Sequence, residues 1–133
     1  MKEVLLDTDT VSFFLKGIPQ VKSKFYDAYV AQGYYNISIM TYYEIMNGLL
    51  FKDARRQLQS FEGFSALCRI LPITVEIALV AAATYADLRR KNLMIGHADV
   101  LIAATALHYD LQVVTNNQAH FQRIEGLELD NWV

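Results

Sequence analysis

Cysteine is almost absent from this sequence of 133 residues, which contains Cys68 alone. A single thiol cannot form an internal disulfide, so a disulfide-stabilised secreted scaffold is excluded and a reducing compartment is indicated. The chain also has only two prolines, and we find no repeat, low-complexity tract or linker. Residues 1–133 are therefore predicted to form a single domain with one core.

An excess of charge of one sign and a long apolar run are missing as well. The formal net charge is −2, which excludes the global basic surface of a nucleic-acid coat protein, so any contact with nucleic acid has to be local. The longest apolar stretch, residues 77–86, contains Thr84 and is shorter than the ~20 residues that cross a bilayer. At the amino end, charged residues precede any long apolar segment, which predicts that there is no signal peptide and no membrane partner.

The sequence does have apolar content, with 53% hydrophobic and 20% charged residues, in segments of two kinds. Short β-favouring runs predict strands, and longer segments with one apolar face predict helices. Their alternation predicts an α/β fold with a parallel sheet covered on both faces. The predicted strands are residues 4–6, 35–39, 70–73, 112–115 and a terminal 127–129; the predicted helices are residues 10–15, 19–32, one opening at Thr41, one capped by Asp53 and running to about residue 67, 75–91 with Thr74 as its cap, and 98–109.

Asp7 directly follows the first predicted strand, which places its carboxylate at the carboxyl edge of the sheet. Open parallel sheets bind ligands at that edge. The structural alternative is that Asp7 caps the short helix that follows. Because Asp9 or Thr8 could supply that cap, we interpret Asp7 as functional. The role of Asp9 stays open between a helix cap and the support of a metal-bound water.

Two further acids lie near the starts of helices. Glu44 stands among apolar residues in the first turns of the helix after the second strand, and Asp99 begins an alanine-rich helix after the loop that contains Gly96. Each could be present only because the helix dipole favours an acid there. The alanines after Asp99 indicate close packing near the edge of the sheet. We predict that Asp7, Glu44 and Asp99 converge on one site.

Three carboxylates at one edge of a sheet would repel one another without a cation. Oxygen ligands favour magnesium or manganese over zinc. One or two such ions can activate water and stabilise the leaving oxygen of a phosphodiester. The pattern therefore predicts a phosphodiester hydrolase in which Asp7, Glu44 and Asp99 are both metal ligands and catalytic residues.

The three histidines do not indicate a metal site by themselves. His97 is two residues from Asp99, but it has no histidine four residues away and no cysteine partner, which argues against zinc. We interpret His97 as a loop residue near the site, and His108 and His120 as surface or partly packed side chains.

Three segments together resemble the PIN-domain nucleases, and most of all the toxins of VapBC-type toxin–antitoxin systems. They are residues 5–10 (LLDTDT), 43–49 (YEIMNGL) and 95–104 (IGHADVLIAA), and the ending over residues 113–132 is also similar. The resemblance implies a PIN-like three-layer α/β/α fold with a central parallel sheet of four to five strands. It further implies a cytoplasmic endoribonuclease of a bacterium or archaeon that depends on Mg²⁺ or Mn²⁺, forms a homodimer and is inhibited by a small antitoxin protein.

The resemblance assigns acid positions to Asp7, Glu44 and Asp99, and a supporting hydroxyl position to Thr8. Many members have a fourth acid after the last core strand, whereas residues 115–121 here read TNNQAHF. Asn116 or Asn117 is expected to orient water or a neighbouring carboxylate without adding charge. A second ion is therefore expected to bind more weakly than the first.

Contacts with RNA phosphates are expected from scattered cations. Arg89, Arg90 and Lys91 form one such run, although they end a helix, where the dipole favours cations in any case. Phosphate contacts of this kind give position rather than sequence selectivity. The other candidates are Lys16, Arg55 and Arg56.

Two other functions fit part of the pattern. In a haloacid-dehalogenase-like phosphatase, Asp7 would be the nucleophile, Asp9 the general acid, and Ser38 would match the second motif. That family places a pair of acids after a late strand, and the sequence here has Asn116 and Asn117 instead. The second alternative is a catalytically inert PIN domain that binds RNA or protein, which the missing fourth acid keeps open.

Overall fold

In the computed structural model, the described part of the chain is residues 2–133, which form five strands and seven helices. Strands alternate with one or two helices, as the sequence predicts. The strands are β1 (Val4–Leu6), β2 (Tyr35–Ser38), β3 (Cys68–Leu71), β4 (Gln112–Val114) and β5 (Leu129–Asp130). The helices are α1 (Thr8–Leu15), α2 (Pro19–Gln32), α3 (Ile39–Phe51), α4 (Arg55–Ser65), α5 (Val75–Arg90), α6 (His97–Tyr109) and α7 (Gln118–Phe121). Over residues 2–133, no helix is both long and apolar enough to cross a membrane.

The strands pair in parallel. β4 lies between β1 and β5, and β2 pairs with β3. β1 lies beside β2, where Nδ2 of the Asn36 side chain donates to the Val4 carbonyl at 3.0 Å. The order across the molecule is therefore β3, β2, β1, β4, β5, with β1 at the centre. This confirms the predicted α/β class and the parallel sheet, whose five strands form a three-stranded ladder and a two-stranded ladder that meet at β1 and β2.

Alternation along β1 sends side chains to opposite faces of the sheet, and each face has its own buried core. Val4 and Leu6 belong to a core formed with α1, α2, α3 and α4, whereas Leu5 belongs to a core formed with α5, α6 and α7. All three side chains are almost completely buried. A strand covered on both faces reads as a continuous apolar run, which is why β1 could be predicted from three residues. The three layers are therefore helix, sheet and helix.

The amino ends of the central strands are held together by a polar cluster. The Glu3 carboxylate accepts hydrogen bonds from Tyr34, Asn36 and Arg69, and the Asn36 side-chain carbonyl oxygen accepts one from Arg69 Nε at 2.9 Å. Asn36 is completely buried, so its hydrogen bonds are made in a medium where an unpaired amide would be costly. This cluster fixes β1, β2 and β3 at the edge opposite the predicted acids.

Several predicted boundaries were wrong, and the helix caps explain two of them. α1 begins at Thr8 rather than at residue 10, because the Asp7 carboxylate caps it. α3 begins at Ile39 rather than at Thr41, because Ser38 Oγ accepts from the Met40 amide at 3.1 Å. The cap of α5 by Thr74 is confirmed, with Thr74 Oγ1 accepting from Ile77 N at 3.2 Å.

Other differences come from residues that do not fit the predicted element. Asp53 has a left-handed backbone with φ of 51° and does not cap α4, which runs from Arg55 to Ser65. β3 is Cys68–Leu71 rather than residues 70–73, since Pro72 has no amide hydrogen for a ladder. The last strand is Leu129–Asp130 rather than residues 127–129, and the short α7 was not predicted.

Candidate active site

The carboxyl ends of β1 and β4 meet at one edge of the sheet, and the residues that follow them lie in contact. The Asp7 amide donates to the Val114 carbonyl at 3.0 Å. The Thr8 hydroxyl lies 3.1 Å from that of Thr41, which follows β2. α1 and α3 therefore begin side by side at this edge of the sheet, and the positive ends of their dipoles favour anionic groups there.

Asp7 is the buried acid of this edge, with 5% of its surface exposed. Its Oδ1 accepts from the Thr8 amide at 2.8 Å, and its Oδ2 accepts from Thr115 Oγ1 at 2.7 Å. Asp7 therefore caps α1, as the structural alternative predicted. Capping and a functional role are compatible, since both carboxylate oxygens stay at the carboxyl edge of the sheet.

The charge on Asp7 is opposed by its surroundings. Burial is the largest cause, and the charge of Asp9 the next; together with a smaller effect of Asp99 they raise the pKa of Asp7 to about 7. The hydrogen bonds from Thr115 and Thr8 act in the other direction, but do not cancel the burial. A divalent cation at this point would stabilise the ionised carboxylate, so the electrostatics favour a cation.

Thr8 connects Glu44 to Asp7 by hydrogen bonds to both carboxylates. The Thr8 hydroxyl donates to Glu44 Oε1 at 2.7 Å, while the Thr8 amide donates to Asp7. Glu44 lies on α3 and is partly exposed, with buried neighbours at Thr41 and Ile45. Thr8 thus couples the orientation of two carboxylates, and its supporting role in catalysis stays a prediction.

Asp99 lies in the first turn of α6, and its side chain is 26% exposed. His120 Nδ1, from α7, stands 3.5 Å from Asp99 Oδ2, and it also lies 2.9 Å from Asn117 Nδ2. The prediction of His120 as a surface or partly packed side chain agrees with its partial exposure, but it does not reveal this contact. A helix of four residues has no periodicity that would reveal it from sequence.

Asn116 and Asn117 stand beside the acids but use different groups. The Asn116 amide donates to Asp9 Oδ2 at 3.1 Å, while its side chain accepts from Asn131. The Asn117 amide donates to Thr115 Oγ1 at 2.9 Å. Each asparagine therefore steadies a neighbour of Asp7 by its backbone, and only the side chain of Asn117 turns toward the Asp99 side.

Comparison with known proteins identifies the family. A sequence profile of the PIN domain matches residues 4–127. The chain belongs to the PIN-domain family. It is 31% identical over 133 residues to the tRNA(fMet)-specific endonuclease VapC of Salmonella typhimurium, with 99% of each chain covered. It is also 31% identical to the Ribonuclease VapC of Rickettsia bellii, covering 95% of this chain and 93% of that one.

The solved structures agree with the sequence comparison. The DNA-bound VapBC of Salmonella typhimurium superposes on the whole of this PIN domain with a TM-score of 0.90 and 30% sequence identity, covering 100% of each chain. Membership of the VapC ribonucleases confirms the resemblance read from residues 5–10, 43–49 and 95–104. Neither the phosphatase nor the inert-domain alternative is supported by these relatives.

The donor set of the PIN domain fits a hard divalent cation, although the side chains do not form a closed cage. No group of three or more Asp, Glu, His or Cys side chains among residues 2–133 lies close enough to hold an ion as they stand. Magnesium commonly keeps several waters and takes only one or two protein carboxylates. Oxygen donors on Asp7, Asp99 and Glu44 therefore suit such an ion, and the role of these three as ligands stays a prediction.

The cations predicted to bind RNA are distributed unevenly. Lys91 Nζ is paired with Asp87 at 2.9 Å, and Arg89 and Arg90 line a shallow depression with Ala86 at the end of α5. Within residues 2–133, none of these three cations forms an ion pair with the acids of the site. Their proposed phosphate contacts stay a prediction.

Two clefts are lined in part by residues of α1, and the first of them reaches Glu44. The first, called here the lysine cleft, has a volume of about 160 Å³ and is lined by Thr8, Glu44, Lys16 and Lys52, among others. The second, called here the apolar cleft, has a volume of about 430 Å³ and is lined mainly by Phe14, Tyr35, Phe64 and their neighbours. Leu15 is the one residue that both linings share.

Proposed function

We propose that this PIN domain is an endoribonuclease that depends on Mg²⁺ or Mn²⁺ and acts as the toxin of a toxin–antitoxin pair. The observation that carries the metal dependence is the buried carboxylate of Asp7, whose negative charge is opposed by burial and by Asp9 and Asp99. One or two ions held by Asp7, Asp99 and Glu44 would supply an activated water and charge stabilisation at a phosphodiester. The matched ribonuclease relatives support RNA as the substrate.

The residues of the chain have separate tasks in this reaction. Asp7 is immobilised by two hydrogen bonds and by its position between β1 and α1, so it forms the fixed point of the site. Thr8 holds Glu44 in a defined orientation, which reduces the rearrangement needed when substrate arrives. Asp99 is more exposed and lies on the side from which RNA can approach. Asn116 and Asn117 support this arrangement without adding charge.

Transfer RNA is the first substrate to test, because one of the matched relatives is a tRNA(fMet)-specific endonuclease of almost the same length. With Mn²⁺ or Mg²⁺, we expect the purified protein to cut initiator tRNA at a defined position and to leave elongator tRNAs largely intact. Mapping of the cleavage ends by primer extension measures this. Equal cutting of all tRNAs would contradict the specificity, and absence of cutting on total cellular RNA would contradict the function.

An antitoxin is the proposed protein partner, with the apolar cleft as its docking surface. The solved relative is a VapBC complex, which supports a partner of this class. An apolar segment in the apolar cleft would contact Leu15, which also lines the lysine cleft beside Glu44. We expect expression of the chain alone to arrest growth of a bacterial host. Co-expression with the cognate antitoxin should restore growth, and unchanged growth in the presence of soluble wild-type protein would contradict the toxin role.

A homodimer in the cytoplasm of a bacterium or archaeon completes the proposal. Large apolar side chains that remain exposed on α3, Leu50 and Phe51, and on α5, Val75 and Leu79, offer a surface for association. The single free thiol of Cys68 fits a reducing compartment. Sedimentation at several concentrations would give the oligomeric state.

The lysine cleft is the proposed path of the RNA backbone as it leaves the acids. We expect the double substitution Lys16→Gln with Lys52→Gln to weaken RNA binding. The logarithm of the association constant should also fall less steeply with the logarithm of the salt concentration, by about 0.7 in slope for each phosphate that is no longer neutralised. Binding is measured by fluorescence anisotropy in an Asp7→Asn background, so that the RNA stays intact. Lys24→Gln, an exposed cation on α2 away from the cleft, is the matched control. Equal slopes in all three proteins would place the RNA elsewhere.

A further inference from the structure

His97 and Tyr85 form an aromatic pair where α5 and α6 meet. His97 is the first residue of α6 rather than a loop residue, and its ring lies against that of Tyr85, with 4.5 Å between the ring centroids. Tyr85 is partly buried, whereas His97 is exposed. The tyrosine therefore supports the imidazole from the protein side, and the rest of the imidazole is open to solvent.

The pair lies at the same end of α6 as Asp99. α5 and α6 are antiparallel, because Tyr85 meets His97 near the loop that joins the helices, and Glu76 lies near His108 at their other ends. His97 and Asp99 are both in the first turn of α6, and side chains lean toward the amino end of a helix. They therefore reach the same edge of the domain from different sides of a helix about 10 Å wide, a distance that about three nucleotides span.

The surface around the pair combines apolar side chains with a cation. Leu93 and Met94, in the loop before α6, are 41% and 46% exposed. Arg89 lies one turn after Tyr85 on α5, and within residues 2–133 it forms no ion pair. A single-stranded nucleic acid is bound by aromatic side chains that stack on its bases and by cations that follow its backbone. This part of the surface supplies both.

Stacking is the interaction that an exposed, supported imidazole can offer to RNA. Histidine is one of the side chains on which unpaired RNA bases stack. Every base has a π face, so such stacking tolerates different sequences. Contact with Tyr85 already restricts the imidazole, which reduces the conformational entropy that is lost when a base binds.

We propose that His97, supported by Tyr85, stacks on an unpaired base of the RNA within a few nucleotides of the cleaved phosphodiester. The inference rests on the proposed ribonuclease function and specifies how that site holds its substrate. His97 is then a binding residue that acts through its ring. Tyr85 is a positioning residue, because it touches the imidazole and not the RNA.

RNA binding by histidine variants tests the proposal. Binding of a short single-stranded RNA is measured by fluorescence anisotropy in the Asp7→Asn background, so that the RNA stays intact. His97→Ala should weaken binding by about 5- to 150-fold, the range for loss of one stacked base, and His97→Phe should restore most of it. His108→Ala is the matched control, since His108 also contacts a tyrosine, Tyr109, but at the far end of α6. It should bind RNA like the parent protein.

Two further measurements separate stacking from charge and from metal binding. If a positive charge on His97 held a phosphate, His97→Phe would bind as weakly as His97→Ala and the salt dependence would become shallower; that result would overturn the proposal. If His97→Ala lowered Mn²⁺ affinity in calorimetry, the residue would belong to the metal site and the proposal would be wrong. In an RNA with 2-aminopurine at successive positions, we expect one position to be quenched on binding by the parent protein and not by His97→Ala.

Cleavage by the wild-type chain keeps this proposal distinct from the function on which it rests. If the wild type cleaves RNA and His97→Ala binds and cleaves it equally well, the stacking site is rejected and the ribonuclease function stands. If the wild type neither binds nor cleaves RNA, the function is rejected and the proposal with it. Weaker inhibition by the antitoxin in His97→Ala, with unchanged RNA binding, would place a protein on this surface and overturn the proposal.

Discussion

The Asp7→Asn variant is expected to cut RNA at least about 1000-fold more slowly than the wild-type chain. The reason is that an amide removes the charge that holds the ion, and such an ion contributes several kcal/mol to the stabilisation of a phosphoryl transition state. Single-turnover cleavage of a labelled tRNA measures the loss. Cleavage at the wild-type rate would show that the metal site is not built on Asp7.

The same variant is expected to fold at least as stably as the wild type. The amide oxygen can still accept from the Thr8 amide, so the cap of α1 is kept, and the amide group can still hydrogen bond to Thr115. Asp27→Asn, an exposed acid on α2, is the matched control and should change neither cleavage nor stability. Loss of the fold in Asp7→Asn would contradict this description of the cap.

The pH dependence of stability gives a second measurement on Asp7. Its pKa rises on folding from 3.8 to about 7, so between these values the folded chain binds more protons than the unfolded chain. Stability of the metal-free wild type should therefore fall as pH rises from about 4 to 7, by roughly 1 to 3 kcal/mol. Urea unfolding in a chelator at about pH 5 and about pH 8 measures the difference, and Asp7→Asn should show much less of it.

The Asp99→Asn variant is expected to lose cleavage by a similar factor for a different structural reason. Asp99 is partly exposed, and it does not cap α6, whose N-cap is Gly96. Its replacement should therefore leave the free energy of unfolding almost unchanged. Mn²⁺ affinity should fall together with cleavage, because one oxygen ligand of the ion has been removed.

A second result separates Asp99 from a merely neighbouring residue. Burial and the charge of Asp9 are the larger causes of the raised pKa of Asp7, but the charge of Asp99 contributes as well. The pKa of Asp7 should therefore fall in Asp99→Asn, which a carbon-13 titration of the Asp7 carboxyl group can follow. A normal cleavage rate with an unchanged Asp7 titration would remove Asp99 from the proposed site.

The parts of the fold that sequence could predict are those governed by long or strongly apolar segments. β1 is apolar on both faces, and α5 and α6 carry long apolar sequences, so their existence and type follow from residue pattern alone. The position of Asp7 at the carboxyl edge follows from the general geometry of parallel sheets. Glu44 could be proposed from its apolar neighbours on α3, but they fit a solvent-facing acid equally well, and the family resemblance strengthens its assignment.

The features that sequence could not predict depend on contacts between distant residues. That Thr8 joins Asp7 to Glu44 requires α1 and α3 to start side by side. That His120 faces Asp99 requires the unpredicted α7 to follow β4. β3 begins at Cys68 because Cys68 pairs with Tyr35 of β2, and the strand ends at Leu71, opposite the last residue of β2.

The buried carboxyl group that caps α1 also binds a proton in part of the metal-free molecules. With a pKa of about 7, roughly half of the metal-free molecules carry a proton on Asp7 at neutral pH. Uptake of a divalent ion has to displace that proton, because the ligating form is the ionised one. In the proposed metal-dependent reaction, loading of the site would therefore exchange a proton for an ion, and a lower pH would shift that exchange toward the metal-free form.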